Sequence, residues 1–67
     1  MKLNINGDLR DVPDAIETLA DLLEHLKVAS DRTAIEVNKD IVAQDEYPVY
    51  RIKTEDIIEI VTFVGGG

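Results

Sequence analysis

Asp56-Ile57-Ile58-Glu59-Ile60-Val61-Thr62-Phe63-Val64-Gly65-Gly66-Gly67 joins the most strand-like run of the chain directly to three glycines. Ile57 to Phe63 is rich in β-branched residues, which suit a pleated and partly buried surface. A continuous apolar run of this length predicts a central strand buried against a helix. At an average glycine usage of about 7%, three consecutive glycines at a given place arise by chance at roughly three in ten thousand. Glycine there packs nothing and loses the most backbone entropy on ordering, so residues 65–67 are expected to form a flexible tail on a folded body of residues 1–64. Val64 to Gly67 spans at most about 14 Å when extended, enough to thread a narrow channel in a partner and present a terminal carboxylate there. A frayed end or a linker remnant is the other reading of the same glycines.

Working outward, Lys2 to Asn6 alternates Leu3 and Ile5 with polar residues and predicts a first strand. Asn6-Gly7 tolerates the positive φ angles of a tight hairpin turn, so Asp8 to about Val12 is expected to return antiparallel to it. Pro13 suits the edge of a sheet or an exit from it. Ile16, Leu19, Leu22, Leu23 and Leu26 recur at helical spacing. Pro13-Asp14 offers one place for the helix to open, but Thr18 followed by Asp21 resembles a capping box, which favours a helix from near Thr18 to near Lys27. Ala34 to Asn38 predicts a third strand with Ile35 and Val37 inward, Asn38-Lys39-Asp40 a turn, and Ile41-Val42 a short strand. Ala43 to Pro48 is irregular with one helical turn, Val49 to Ile52 pairs briefly with a neighbour, and Thr54-Glu55-Asp56 turns into the final strand. The fold class is therefore α+β: a mixed sheet of four to five strands crossed by one main helix, with the first and last strands adjacent at its centre.

Composition limits the function. Sixty-seven residues make one small domain with little room for a deep pocket. Without cysteine there is neither a disulfide nor a thiolate zinc site, a composition that fits a reducing cytoplasm. The chain opens at Met1 straight into alternating residues, with no signal-like segment or membrane-length apolar run, and the expectation is a soluble cytoplasmic protein. Fourteen acidic residues against seven basic ones leave a net charge of −7, which phosphate backbones repel, so nucleic acid is not an expected partner. Such a charge either steers the domain onto a basic patch of another protein or simply keeps it soluble.

Other residues carry weaker signals. His25, the only histidine, stands four residues after Asp21 and near the helix end, where pairing and the helix dipole account for it; too few ligands surround it for a metal site. Asp45-Glu46 and Glu55-Asp56 are adjacent carboxylates expected on solvated turns, not acid–base pairs. Tyr47 and Tyr50 are expected to cover one edge of the core. Phe63 and Val64, beside the glycines, are candidates for apolar contact with a partner, although Phe63 would equally close the core.

Over essentially its whole length the chain resembles the β-grasp, ubiquitin-like sulfur carriers, and among them it is most similar to those of thiamine biosynthesis. The matching stretches are Met1-Lys2-Leu3-Asn4-Ile5-Asn6-Gly7, Thr18-Leu19-Ala20-Asp21-Leu22-Leu23, Val37-Asn38-Lys39-Asp40-Ile41-Val42 and the ending from Asp56 to Gly67. The resemblance implies a carrier with no bound cofactor and no turnover of its own. A partner (ThiF-type) adenylyltransferase would use ATP to adenylate the Gly67 carboxylate, with Gly65 and Gly66 threaded into it. A persulfide donor enzyme would then convert the adenylate to a thiocarboxylate, and a thiazole synthase would take up the sulfur. Glu55 departs from the family, which usually has glycine in that turn, and implies a different turn geometry. Related readings are the small subunit of molybdopterin synthase, a ubiquitin-like protein modifier, and an interaction module with an idle tail.

Overall fold

The computed structural model describes residues Met1–Phe63. Five strands form one mixed sheet: β1 (Lys2–Ile5), β2 (Asp8–Asp11), β3 (Thr33–Val37), β4 (Asp40–Val42) and β5 (Ile57–Thr62), in the order β2-β1-β5-β3-β4. β1 and β5 run parallel at the centre, with Asn4 opposite Ile57 and Ile5 opposite Ile58, and the other pairings are antiparallel. The helix α1 (Leu19–Leu26) lies across one face.

Local chemistry sets the element ends. Asn6 and Gly7 take φ angles of 52° and 86°, and Asn38 and Lys39 take 52° and 74°. Both hairpins thus turn through two residues in the left-handed region, the geometry that matches strand twist. Thr18 caps α1: its hydroxyl accepts from the Asp21 N–H at 3.1 Å, and the Asp21 carboxylate accepts from the N–H groups of Glu17 (3.1 Å) and Thr18 (3.2 Å). Lys27, at φ 61°, closes the helix. Thr18→Ala should cost about 1 kcal/mol in urea unfolding. The backbone bonds from Glu17 and then Thr18 hold the Asp21 carboxyl below its ordinary 3.8. That contribution is complete above 3.8 and is lost as the pH falls through the lower folded value, so the stability gap between wild type and Asp21→Asn should close on acidification.

Glu55 corrects an expectation. Its φ of 70° is the left-handed conformation glycine takes freely, so the turn keeps a glycine-like geometry and the side chain bears the strain. The turn is bound on both sides: the Glu55 N–H meets the Lys2 carbonyl at 2.6 Å, and the Asp56 carboxylate accepts from the Lys53 N–H at 2.7 Å and from Asn38 Nδ2 at 3.0 Å. Asp56 is therefore a structural turn residue, not merely solvated. Glu55→Gly is expected to raise stability by about 1 kcal/mol, read by thermal or urea denaturation.

The core lies between α1 and the inner face of the sheet: Leu3, Ile5, Leu19, Leu22, Leu23, Ile35, Val37, Val42 and Ile58 are buried. Ile16 is buried too, but it precedes the helix that its spacing had joined. Tyr47 lies inside the core, where its hydroxyl meets the buried Thr33 hydroxyl at 3.2 Å; only Tyr50 sits partly buried at the margin. The segment after Tyr47 pairs with the start of the helix, through an Arg51–Thr18 bridge and the Ile52 N–H to the Glu17 carbonyl. The expected brief pairing of Val49 to Ile52 is thus present, outside the sheet.

Candidate functional site

β5 is tied on both sides nearly to its end. From β3, the register runs to Thr33 opposite Thr62, and the Phe63 N–H donates to the Arg32 carbonyl at 2.7 Å. From β1, the Asn6 side chain acts as one more strand residue: Oδ1 accepts from the Ile60 N–H at 2.7 Å and Nδ2 donates to the Ile60 carbonyl at 3.1 Å. Phe63 therefore sits at a fixed exit point on a rigid body. Val64, Gly65, Gly66 and Gly67, the remaining site residues expected from the sequence, lie outside the described residues.

Side chains alternate along β5, and this divides the apolar run that the sequence presented as continuous. Ile58 is fully buried and Ile60 is half-buried under α1, whereas Ile57, Val61 and Phe63 are each at least 50% exposed on the opposite face. An eight-residue helix covers only one face of the sheet. Phe63, 54% exposed, does not close the core and is free for contact. β5 is central, as expected, but it is buried on one side only.

Two residues that the sequence reading missed join Phe63 on this open face. Register places Ala34 opposite Val61, Glu36 opposite Glu59, and Ile41 opposite Glu36. Ala34, Glu36, Ile41, Glu59 and Val61 line a shallow groove of about 460 Å³. Ile41 is 80% exposed, a costly placement for a large aliphatic side chain unless something covers it. The available signal was parity: with one helix for a five-stranded sheet, every second residue of Ile57–Phe63 had to face away from it.

Elsewhere, His25 does not pair with Asp21, whose carboxylate is turned back onto the helix start. His25 lines a second open cleft of about 440 Å³ with Arg10 and Lys27, near the carbonyl end of α1, where cations are favoured. Among the described residues, no three His, Cys, Asp or Glu side chains gather as a metal site, and no helix is long and apolar enough to cross a membrane.

The ThiS family model matches residues 3–67. The sulfur carrier protein ThiS of Bacillus subtilis is 38% identical over 50 residues, covering 75% of this chain and 76% of that protein. Thiazole synthases of Magnetococcus marinus and Paramagnetospirillum magneticum are 37% and 42% identical over all 67 residues. The chain spans only 20% of the length of each of these two. The crystal structure of a thiamine biosynthesis protein (ThiS) from Geobacter metallireducens superimposes with a TM-score of 0.81 at 31% identity, covering 100% of both chains. The mixed five-stranded sheet with one crossing helix is thus the β-grasp fold seen in that neighbour. With the family pattern running from β1 through the final glycines, the chain belongs to the ThiS family.

Proposed function

We propose that this protein carries sulfur for thiamine biosynthesis on the carboxyl group of Gly67. The observation that carries the reading is the family match through residue 67, which includes the glycines beyond the anchored exit at Phe63. The carrier contributes an unhindered acyl group, and partner enzymes contribute the catalysis.

A carboxylate is a poor electrophile and needs a leaving group. In the proposed sequence, the Gly67 carboxylate oxygen attacks the α-phosphorus of ATP on an adenylyltransferase and pyrophosphate departs. A persulfide sulfur of a donor enzyme then attacks the acyl carbon and displaces AMP, giving an acyl disulfide. A second thiol cleaves that disulfide, becoming oxidised to a disulfide itself, and leaves the terminal thiocarboxylate. Thiazole synthase is the proposed acceptor, in keeping with relatives of that name in which a matching segment forms part of one longer chain. Glycines without Cβ atoms let the backbone pass close to a channel wall. Ile41, Val61 and Phe63 offer the apolar docking face beside it.

The test is intact mass spectrometry after incubation with the adenylyltransferase, ATP and a persulfide source. A mass gain equal to replacing one oxygen by sulfur, localised to Gly67, is expected. Transfer of the chain to lysines, seen as larger conjugates, would contradict it.

A further inference from the structure

Asn6 is the one asparagine of three that is followed by glycine; Asn4 precedes Ile5 and Asn38 precedes Lys39. An asparagine loses its side-chain amide when the next backbone nitrogen attacks Cγ, and a glycine leaves that nitrogen with no side chain to shield it. The turn is open to water: Asn6 and Gly7 are exposed, and a Cβ at Gly7 would meet nothing within 4 Å. Two sets of bonds nevertheless restrain the reacting atoms. The carboxamide is committed to β5, where Oδ1 accepts from the Ile60 N–H at 2.7 Å and Nδ2 donates to the Ile60 carbonyl at 3.1 Å. The nucleophile is engaged as well, since the Gly7 N–H donates to Asn4 Oδ1 at 3.1 Å.

We propose that Asn6 is a deamidation site kept closed by the folded sheet, and that its modification unfastens β5 just before the strand ends. When the hairpin opens, the Asn6 carboxamide swings back onto its own chain and the Gly7 nitrogen gives up its proton to hydroxide. That nitrogen attacks Cγ, a C–N bond forms, and the side-chain nitrogen departs as ammonia, leaving a five-membered succinimide. Water then adds across one of the two imide C–N bonds, giving aspartate from one opening and isoaspartate from the other. No redox partner is needed. Neither product restores both bonds to Ile60. Aspartate has no N–H to donate, so an oxygen faces the Ile60 carbonyl, acceptor against acceptor. Isoaspartate routes the backbone through Cβ and Cγ, so the group that reached Ile60 becomes part of the main chain. The loss falls on the last β1-side tie ahead of Phe63 among the described residues, and its effect on the tail rests on the reading above.

The experiment follows the full chain in mildly alkaline buffer, folded and in guanidinium chloride, by peptide-mapping mass spectrometry. A mass change equal to replacing an amino group by a hydroxyl is expected at Asn6, at least about tenfold slower in the folded chain, with Asn38 unchanged over the same time. Asn4→Ala should speed the folded reaction about threefold by freeing the Gly7 N–H, whereas Asn4→Asp, which keeps the acceptor, should stay near the wild-type rate. In the purified isoaspartate form, the Ile60 amide should exchange with solvent deuterium at least about tenfold faster than in the unmodified chain. Equal rates in the folded and denatured chain, or modification that falls first on Asn38, would overturn the guarding role. An Ile60 amide that exchanges at the unmodified rate in the isoaspartate form would overturn the link to β5. All of these are read without a partner enzyme, so their failure is distinct from a failure of sulfur carriage.

Discussion

Deleting Gly66 and Gly67 is expected to lower carrier-dependent pyrophosphate release by on the order of a thousandfold or more while leaving the fold intact. The size of the effect follows from geometry. The shortened chain still ends in a carboxylate, but that group stops about 7 Å short, at roughly 3.3–3.6 Å per residue. Displacements of even 1 Å can cost about a hundredfold when reacting atoms must be in contact. The fold should not respond, because the buried residues run from Leu3 to Ile58. Equal melting curves with lost activity are the expected pair of results. An effect confined to KM would mean that the glycines only help docking.

Ile58→Ala is expected to cost about 3–4 kcal/mol and to leave on the order of a tenth of the molecules unfolded at room temperature. Ile58 is fully buried on the central strand, opposite Ile5 on β1 and Val37 on β3. A domain this small has only about 5 kcal/mol or so to lose, and no disulfide supports it. Val61→Ala, three residues along the same strand but on the open face, should change stability by less than about 1 kcal/mol. Urea unfolding of the two variants reads the contrast. Similar losses from both would contradict the one-sided burial of β5.

Where sequence patterns have a single structural solution, they were legible. Asn6-Gly7 has few options but a tight hairpin, and Thr18 with Asp21 marked the helix start because the cap is local chemistry. The β1–β5 pairing followed from which strands could be central. Burial on β5 was less legible, because a run of Ile, Val and Phe looks the same whether one face or both are covered. The open face was decided by the shortness of α1, a tertiary fact. Tyr47 misled for a similar reason: its polar tip pointed to a margin, and only the distant Thr33 hydroxyl makes it at home inside. Glu55 shows the reverse, where tertiary bonds from Glu55 to Lys2 and from Asn38 to Asp56 hold a turn that the residue itself disfavours. At the site, Phe63 was named from its neighbourhood to the glycines, whereas Ile41 and Val61 become a surface only once β3, β4 and β5 are in register.

The most direct measurement is thiazole formation with a semisynthetic carrier whose Gly67 carboxylate is replaced by a carboxamide, assayed with the complete set of partner enzymes. An amide cannot attack ATP as the carboxylate does, so formation should fall to the level seen with no carrier added. Formation at the rate of the unmodified carrier would contradict transfer of sulfur through that carbon.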